Sequence, residues 1–261
     1  MTNHFTKITV DNQIAVVEID HAPANALSSA CITELRTVFK NLSTDDAVHA
    51  IILTGAGRFF IAGADIKEFT DALGSQEKGL EMAHHGQKIC DEIEAMTKPV
   101  IAAINGPCLG GGLEVALGCH YRISTPSALL GLPELKLGLI PTFGGTQRLS
   151  RITDVATALE LTLTSKQLNG KEAREKGIVN LVVAEDLLLS TSKTIAQSFI
   201  EGKSMTSVTR AVECIVQGAN ESLADGLKRE RTRFSELFLT ADAKEGVDAF
   251  IEKRKPIFKH I

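Results

Sequence analysis

The chain opens on two short apolar arms, Lys7 to Val10 and Gln13 to Asp20, on either side of Asp11-Asn12. The second arm, Ile14-Ala-Val-Val-Glu-Ile19, is rich in β-branched residues, which suit a pleated, half-buried surface, so the two arms predict a β-hairpin. From Cys31 to Leu42 the period changes: apolar residues fall at 31, 32, 35, 38, 39 and 42, the spacing of one face of a helix. Ala50-Ile-Ile-Leu-Thr54 reads as a short buried strand ending at Gly55. Leu80 to Met96 is helical again, with Met82, Ala83, Ile89, Cys90, Ile93 and Met96 as its inner stripe. Pro99-Val-Ile-Ala-Ala-Ile-Asn105 is apolar almost throughout, the pattern of a strand covered on both faces, and it stops at Gly106-Pro107. Strands alternating with helices up to about residue 183 predict an α/β fold. From Asp186 onward the pattern predicts three or four helices, ending in Glu252-Lys-Arg-Lys-Pro256. Seventeen of the 21 glycines lie at or before residue 177, so turns and close backbone approaches concentrate in the first two thirds.

Composition narrows the classes. A length of 261 residues allows one large α/β domain or two small ones. The 28 basic against 32 acidic residues leave a net charge of −4, which argues against nucleic acid or an anionic membrane surface as the main partner, since either selects a basic stripe. No apolar run approaches the ~20 residues of a membrane helix, and the first residues lack the basic start and apolar core of a secretory signal. The five cysteines are odd in number and scattered, with no C-x-x-C; they read as reduced, mostly buried thiols, and a cytoplasmic location is expected.

Three glycine-containing segments are candidates for chemistry: Ile61-Ala-Gly-Ala-Asp-Ile-Lys67, Asn105-Gly-Pro-Cys-Leu-Gly-Gly-Gly-Leu-Glu114, and Gly131-Leu-Pro-Glu134 with Gly138-Leu-Ile-Pro-Thr-Phe-Gly-Gly-Thr-Gln-Arg148. In the second, a buried strand breaks and three glycines open a helix at about Gly111. Free N–H groups of a first helical turn favour negative charge, so an oxyanion site at Gly111 is expected. Glu114, one turn further in, is either an acid/base group or a carboxylate that simply complements the helix dipole. Glu134 follows Pro133 in an apolar stretch, where a carboxylate is either edge-exposed or buried with a raised pKa. Two carboxylates in glycine-rich, apolar surroundings are candidates for acid/base work on one substrate.

Other chemistries fail on spacing. Gly55-Ala-Gly57 follows a strand, but Phe60 stands where a dinucleotide fingerprint needs glycine. Gly202-Lys203-Ser204 resembles a phosphate loop, but Gln197 stands where its earlier glycine would be. The seven histidines form no H-E-x-x-H, so no metal site is expected, and no G-x-S-x-G supports a serine hydrolase.

Taken in order and spacing, Ile61-Ala-Gly-Ala-Asp-Ile-Lys-Glu68, Gly110-Gly-Gly-Leu-Glu114, Gly131-Leu-Pro-Glu134 and Gly144-Gly-Thr-Gln-Arg-Leu149 resemble the signatures of the crotonase (enoyl-CoA hydratase/isomerase) superfamily. The resemblance runs almost end to end. It implies an α/β crotonase-type spiral of ββα units with a helical C-terminal trimerisation region: residues 1–195 as the core with the active site, 196–261 as the assembly region. It implies a homotrimer or a dimer of trimers. It further implies that the backbone N–H groups of Ala64 and Gly111 hold the thioester oxygen of an acyl-CoA. Glu114 and Glu134 would hold one water, one glutamate activating it toward the β-carbon and Glu134 supplying the α-carbon proton. Coenzyme A arrives as part of the substrate, so no separate cofactor is expected.

Other positions follow from the same resemblance. Ala62, Asp65, Ile66 and Lys67 match the stretch around the adenine end of CoA, with Arg58 and Lys67 as partners for its phosphates; Lys67 also reads as an ordinary surface lysine. Phe234 and Lys253 match residues that reach a neighbouring subunit's CoA, or are a core aromatic and a surface charge. Thr142-Phe143 replaces a small pair near the family's water site; the Thr142 N–H can still donate, and Phe143 narrows the acyl pocket. Gly118-Cys-His-Tyr-Arg-Ile123 and Pro23-Ala-Asn-Ala-Leu-Ser28 look like the hydratase part of multifunctional β-oxidation enzymes, and His120 is expected to be a satisfied buried histidine. The implied activity is hydration of trans-2-enoyl-CoA to 3-hydroxyacyl-CoA in fatty acid β-oxidation. The alternatives are a Δ3-Δ2 isomerase or another acyl-CoA lyase on the same scaffold and, more remotely, an RNA-binding member. Against the last stand the glutamate pair and the absence of a Lys/Arg-rich helix.

Overall fold

The computed structural model describes residues 4–260. Strands β1 (Thr6–Asp11) and β2 (Ile14–Ile19) form the expected antiparallel hairpin, closed by the pair Asp11 and Ile14. Its two loop residues, Asn12 and Gln13, both have positive φ (49° and 65°), as a two-residue turn matching strand twist requires. β3 (Ala50–Gly55), β4 (Val100–Ile104), β6 (Tyr121–Ser124) and β9 (Leu181–Val182) add in parallel, giving the order β1-β2-β3-β4-β6-β9. A second sheet has the order β5-β7-β8, from β5 (Cys108–Leu109), β7 (Leu129–Gly131) and β8 (Leu168–Asn169).

Both faces of the large sheet are covered, which is why β3 and β4 are apolar nearly throughout. On one face lie α1 (Ser29–Thr44) and α3 (Gln76–Glu94), packed on Ala15, Val17, Ile51 and Leu53. The Ser28 hydroxyl caps α1 by accepting from the Cys31 N–H, and the predicted stripe from Cys31 to Leu42 is buried in full. α3 starts four residues before the predicted Leu80, because Ser75 caps it through Lys78 and its first turn, Gln76-Glu-Lys-Gly79, has no apolar residue to mark it. On the opposite face α8 (Leu188–Ile200) sets Leu188, Ala196 and Ile200 against Ile14, Val16, Ile52 and Ile101.

Five shorter helices lie between: α2 (Ile66–Ala72), α4 (Gly111–Gly118), α5 (Gly145–Ile152), α6 (Val155–Leu163) and α7 (Gly170–Glu175). With α9 (Met205–Gly218), α10 (Leu223–Leu237) and α11 (Ala241–Ile251), the region after Asp186 holds four helices, the upper end of the expectation. The last three bury little within the chain and expose Ile215, Leu223, Phe234, Phe238, Leu239 and Phe250. No helix among the described residues is long and apolar enough to cross a membrane.

Two side-chain amides, the buried Asn25 and the half-buried Asn105, aim the loop that leads from β3 into the candidate site. Asn25 Nδ2 donates to the carbonyls of Ala56 (3.0 Å), Phe59 (2.9 Å) and Phe60 (3.3 Å). Asn105 Nδ2 donates to those of Gly55 and Gly57, each at 3.0 Å, and to Phe59 at 3.3 Å. Gly55 makes the tight return possible, since a Cβ there would lie 2.1 Å from the Phe59 oxygen. Replacing Asn25 with Ala strips a partner from the buried Phe60 carbonyl and from the half-buried ones of Ala56 and Phe59, and urea denaturation should register a loss of about 1–3 kcal/mol.

Candidate active site

Residues 61–64 run beside two other segments at once. Ile61 pairs in parallel with Cys108, and Ala64 with Leu27. In the second pairing Leu27 N–H donates to Gly63 O (2.9 Å) and Asp65 N–H to Leu27 O (3.0 Å), so the N–H of Ala64 itself turns the other way. The start of α4 lies against the same stretch: a Cβ on Gly112 would sit 2.2 Å from Ile61 O, a separation only glycine permits. Gly110, at φ 54°, donates its N–H to Gly131 O (2.9 Å) and turns the chain so that Gly111 is the first residue of α4. As at any helix start, the Gly111 N–H has no intrahelical partner. Neither it nor the Ala64 N–H finds an acceptor among the described residues. Both residues line one cavity of about 480 Å³.

Two carboxyl groups enter that cavity. Glu114, on the first turn of α4, is 2% exposed and accepts the Gly145 N–H on Oε1 at 2.7 Å. A Cβ on Gly145 would lie 2.8 Å from that oxygen, so glycine is what lets the backbone come this close. Burial pushes the Glu114 carboxyl up to about 8; the neighbouring Glu134 adds to the rise, and the Gly145 and Phe143 backbone donors and the Arg148 cation oppose it. Glu134 opens a 3-10 turn, Glu134–Leu137. Its Oε1 faces the bare Cα of Gly110, where a Cβ would stand 3.0 Å away, and its Oε2 is buried with no partner. Burial raises its pKa as well. Two adjacent carboxyls, each disfavoured as an anion, retain a proton between them near neutrality. An orphaned carboxylate oxygen facing a cavity is suited to a water or a substrate group.

Most of the rest of the wall is apolar, with Phe69, Leu73, Met82, Leu139, Ile140 and Phe143. The Phe143 ring fits between two glycines, since a Cβ on Gly86 would meet it at 2.0 Å and one on Gly111 at 3.1 Å. A larger cleft of about 1030 Å³ runs between the hairpin, α1 and α3. Its half-buried acids are already engaged, Glu34 by the His4 and Phe5 N–H groups and the Thr6 hydroxyl, Glu68 by the Ser29 N–H and hydroxyl, so the smaller cavity is the better place for chemistry.

Among the expected site residues, Ala62, Ala64, Ile66, Gly111, Glu114, Glu134 and Thr142 meet in this cavity. Asp65 lies beside it and caps α2 by accepting the Lys67 N–H (3.0 Å). Arg58 stacks over the Phe59 ring at 4.8 Å. Phe234 lies exposed on α10, edge-on to Phe238, and Lys253 lies in the exposed turn that follows α11. His120 is satisfied on both ring nitrogens: Nδ1 accepts the Val100 N–H (3.1 Å), which leaves Nε2 to donate to Glu94 O (3.1 Å). Sequence reasoning passed over Gly145 and Gly86. The Gly144-Gly145 pair was visible, but no spacing along the chain reveals that residue 145 returns to 114, or that residue 86 faces 143. Among the described residues no three His, Cys, Asp or Glu side chains group as a metal site.

Comparison with known proteins gives a consistent result. A profile of the enoyl-CoA hydratase/isomerase family matches residues 9–260. A probable enoyl-CoA hydratase of Bacillus subtilis is 46% identical over 253 residues, 97% of each chain. A short-chain-enoyl-CoA hydratase of Clostridium acetobutylicum is 39% identical over 94% of each. The crystal structure of an enoyl-CoA hydratase from Bacillus anthracis superposes with a TM-score of 0.92 at 36% identity, covering 99% of this chain and 100% of that one.

The buried Glu114 has a consequence for stability. Its folded pKa, about 8, lies above that of an unfolded glutamate, so its proton favours the folded state at low pH and that contribution is lost as pH rises through about 8. In Glu114→Gln the penalty is gone. Thermal melts should show the variant gaining on the parent protein from about pH 4.5 upward, with the gap levelling above pH 8.

Proposed function

The chain belongs to the enoyl-CoA hydratase/isomerase family, and we propose that within it this protein is an enoyl-CoA hydratase, adding water to trans-2-enoyl-CoA to give 3-hydroxyacyl-CoA in fatty acid β-oxidation. One observation carries the reading: two carboxyls with raised pKa and two unengaged backbone N–H groups share one apolar cavity. The thioester oxygen sits between the N–H groups of Ala64 and Gly111. Addition at the β-carbon builds enolate charge on that oxygen, and in a dry site each aimed donor contributes on the order of 3 kcal/mol to the transition state. The carboxyl pair holds the water. With the pair's proton on Glu134, the ionised Glu114 takes a proton from the water as its oxygen bonds to the β-carbon, and Glu134 gives its proton to the α-carbon as the enolate collapses. The pair gains one proton from water and gives one to carbon, so it ends the cycle with one proton as it began, and the reaction as written requires no cofactor beyond the CoA of the substrate.

Ala62 and Ile66 on the cavity wall, Asp65 beside it and the Thr142 N–H position the thioester and its CoA arm. Arg58 and Lys67 meet its phosphates. The Phe143 ring against Gly111 favours a short acyl chain. We place Phe234 and Lys253 at a neighbouring subunit's CoA in a homotrimer or dimer of trimers; the exposed apolar residues of α9 to α11 support such an assembly. Unpaired thiols at all five cysteines support a reducing, cytoplasmic setting.

Glu114→Gln and Glu134→Gln keep the shape and remove the proton chemistry. Steady-state hydration of crotonyl-CoA should fall by ~10²-fold or more in each, with 3-hydroxybutyryl-CoA as the product of the parent enzyme. Undiminished hydration in both variants, or 3-enoyl thioesters turned over in preference to 2-enoyl ones, would overturn the assignment.

A further inference from the structure

Arg148, in the first turns of α5, lies outside the cavity wall, yet its side chain is only 11% exposed and fully engaged. Nε and Nη2 donate to Glu94 Oε2 at 3.0 and 2.7 Å, and Nη2 also to Asp91 Oδ1 at 2.6 Å. Both acids sit at the C-terminal end of α3. The remaining arm, Nη1, donates to the Phe143 carbonyl at 3.0 Å. Between Phe143 and Gly145 the chain passes through Gly144 at φ 104°, where a Cβ would fall 2.1 Å from Nη1. The guanidinium thus occupies the space a side chain at 144 would need. The next N–H along, that of Gly145, is the one on Glu114. Behind the acids, His120 ties the Glu94 carbonyl to β4 through Val100, so the anchor is itself fixed.

We propose that Arg148 is a positioning residue for Glu114: by gripping the Phe143 carbonyl and the α3 carboxylates it fixes the turn that holds the Gly145 N–H on the Glu114 oxygen. The inference rests on the hydratase reading of Glu114. Without the grip, Gly144 and Gly145 form a two-glycine turn free to swing, and the carboxylate loses the Gly145 donor. A displacement of an ångström at a group that must face both water and β-carbon costs up to ~10²-fold in rate, even when its cause lies outside the pocket. Substrate contacts are untouched, so the effect falls on kcat rather than KM.

Arg148 also supplies charge. The titratable groups facing Glu114 are Glu134 across the cavity, Arg148 from α5 and the buried Cys90 thiol from α3, whose pKa is pushed well above its ordinary value so that it stays neutral. Arg148 is the one cation among these three, and it favours the Glu114 anion.

The test compares kcat and KM for crotonyl-CoA across pH in the parent enzyme, Arg148→Met and Arg148→Lys. Arg148→Met should lower kcat ~10-fold or more with KM within about threefold, and move the pH profile to higher pH. Arg148→Lys keeps the charge but cannot span three acceptors as the planar fork does, so kcat stays low while the profile returns to its original position. Unchanged kcat and profile per folded enzyme, with only a lower melting temperature, would overturn the proposal. If Arg148→Met does not fold, Glu94→Gln decides: it keeps the guanidinium on Phe143 but weakens its anchor, and unchanged kcat there would equally overturn it. Absence of hydration by the parent enzyme, or full activity of Glu114→Gln, would instead defeat the hydratase reading itself.

Discussion

The site is organised around a conflict between two acids. Glu114 and Glu134 are placed in one apolar cavity, where neither is comfortable as an anion, and burial raises the pKa of both. Two carboxyls so placed cannot both ionise cheaply, and the pair keeps one proton near neutrality. That shared proton is what a reaction that takes one proton from water and gives one to carbon requires. Much of the nearby structure holds the conflict in place: Gly145 and Arg148 moderate it, and the orphaned Glu134 oxygen leaves a position open for a further partner.

Glycine is the material of this arrangement. Gly112 lets α4 begin against residue 61, Gly110 lets Glu134 approach, Gly145 lets a backbone donor reach a buried carboxylate, and Gly86 admits the Phe143 ring. In each case a single Cβ would occupy space already taken. The two free N–H groups follow from the same economy: one is a helix start, the other belongs to a residue whose pairing turns its N–H away from its strand partner. The large sheet, covered on both faces, supplies the rigid floor to which these segments are fastened.

Much of this was legible along the chain. The β-branched second arm of the hairpin, the helical stripe from Cys31 to Leu42 and the apolar run before Asn105 all reflect one-sided or two-sided burial, which sequence records directly. The glycine-bracketed acids pointed to the cavity, and their joint spacing to the family. What escaped is informative. α2 is seven residues long, buries nothing and is defined by the Asp65 cap rather than by a stripe. The first turn of α3 is wholly polar, so its start is set by Ser75 and left no period to read. The contacts from 145 to 114 and from 86 to 143 are made by folding, between positions whose local sequence carries no mark of each other. The Glu114 alternatives left open by the sequence, dipole partner or acid/base group, are separated by burial: a group 2% exposed beside a second acid is not a surface carboxylate.

The shared proton is most directly tested by the pH dependence of kcat/KM for crotonyl-CoA hydration by the unaltered enzyme. One carboxyl must be ionised and the other protonated, so the expected profile is a bell whose alkaline limb, the loss of the pair's last proton, lies above the ordinary carboxylate range because both glutamates are buried. A rate that stays flat from pH 5 to pH 10 would contradict it, because no proton would then be shared by the pair.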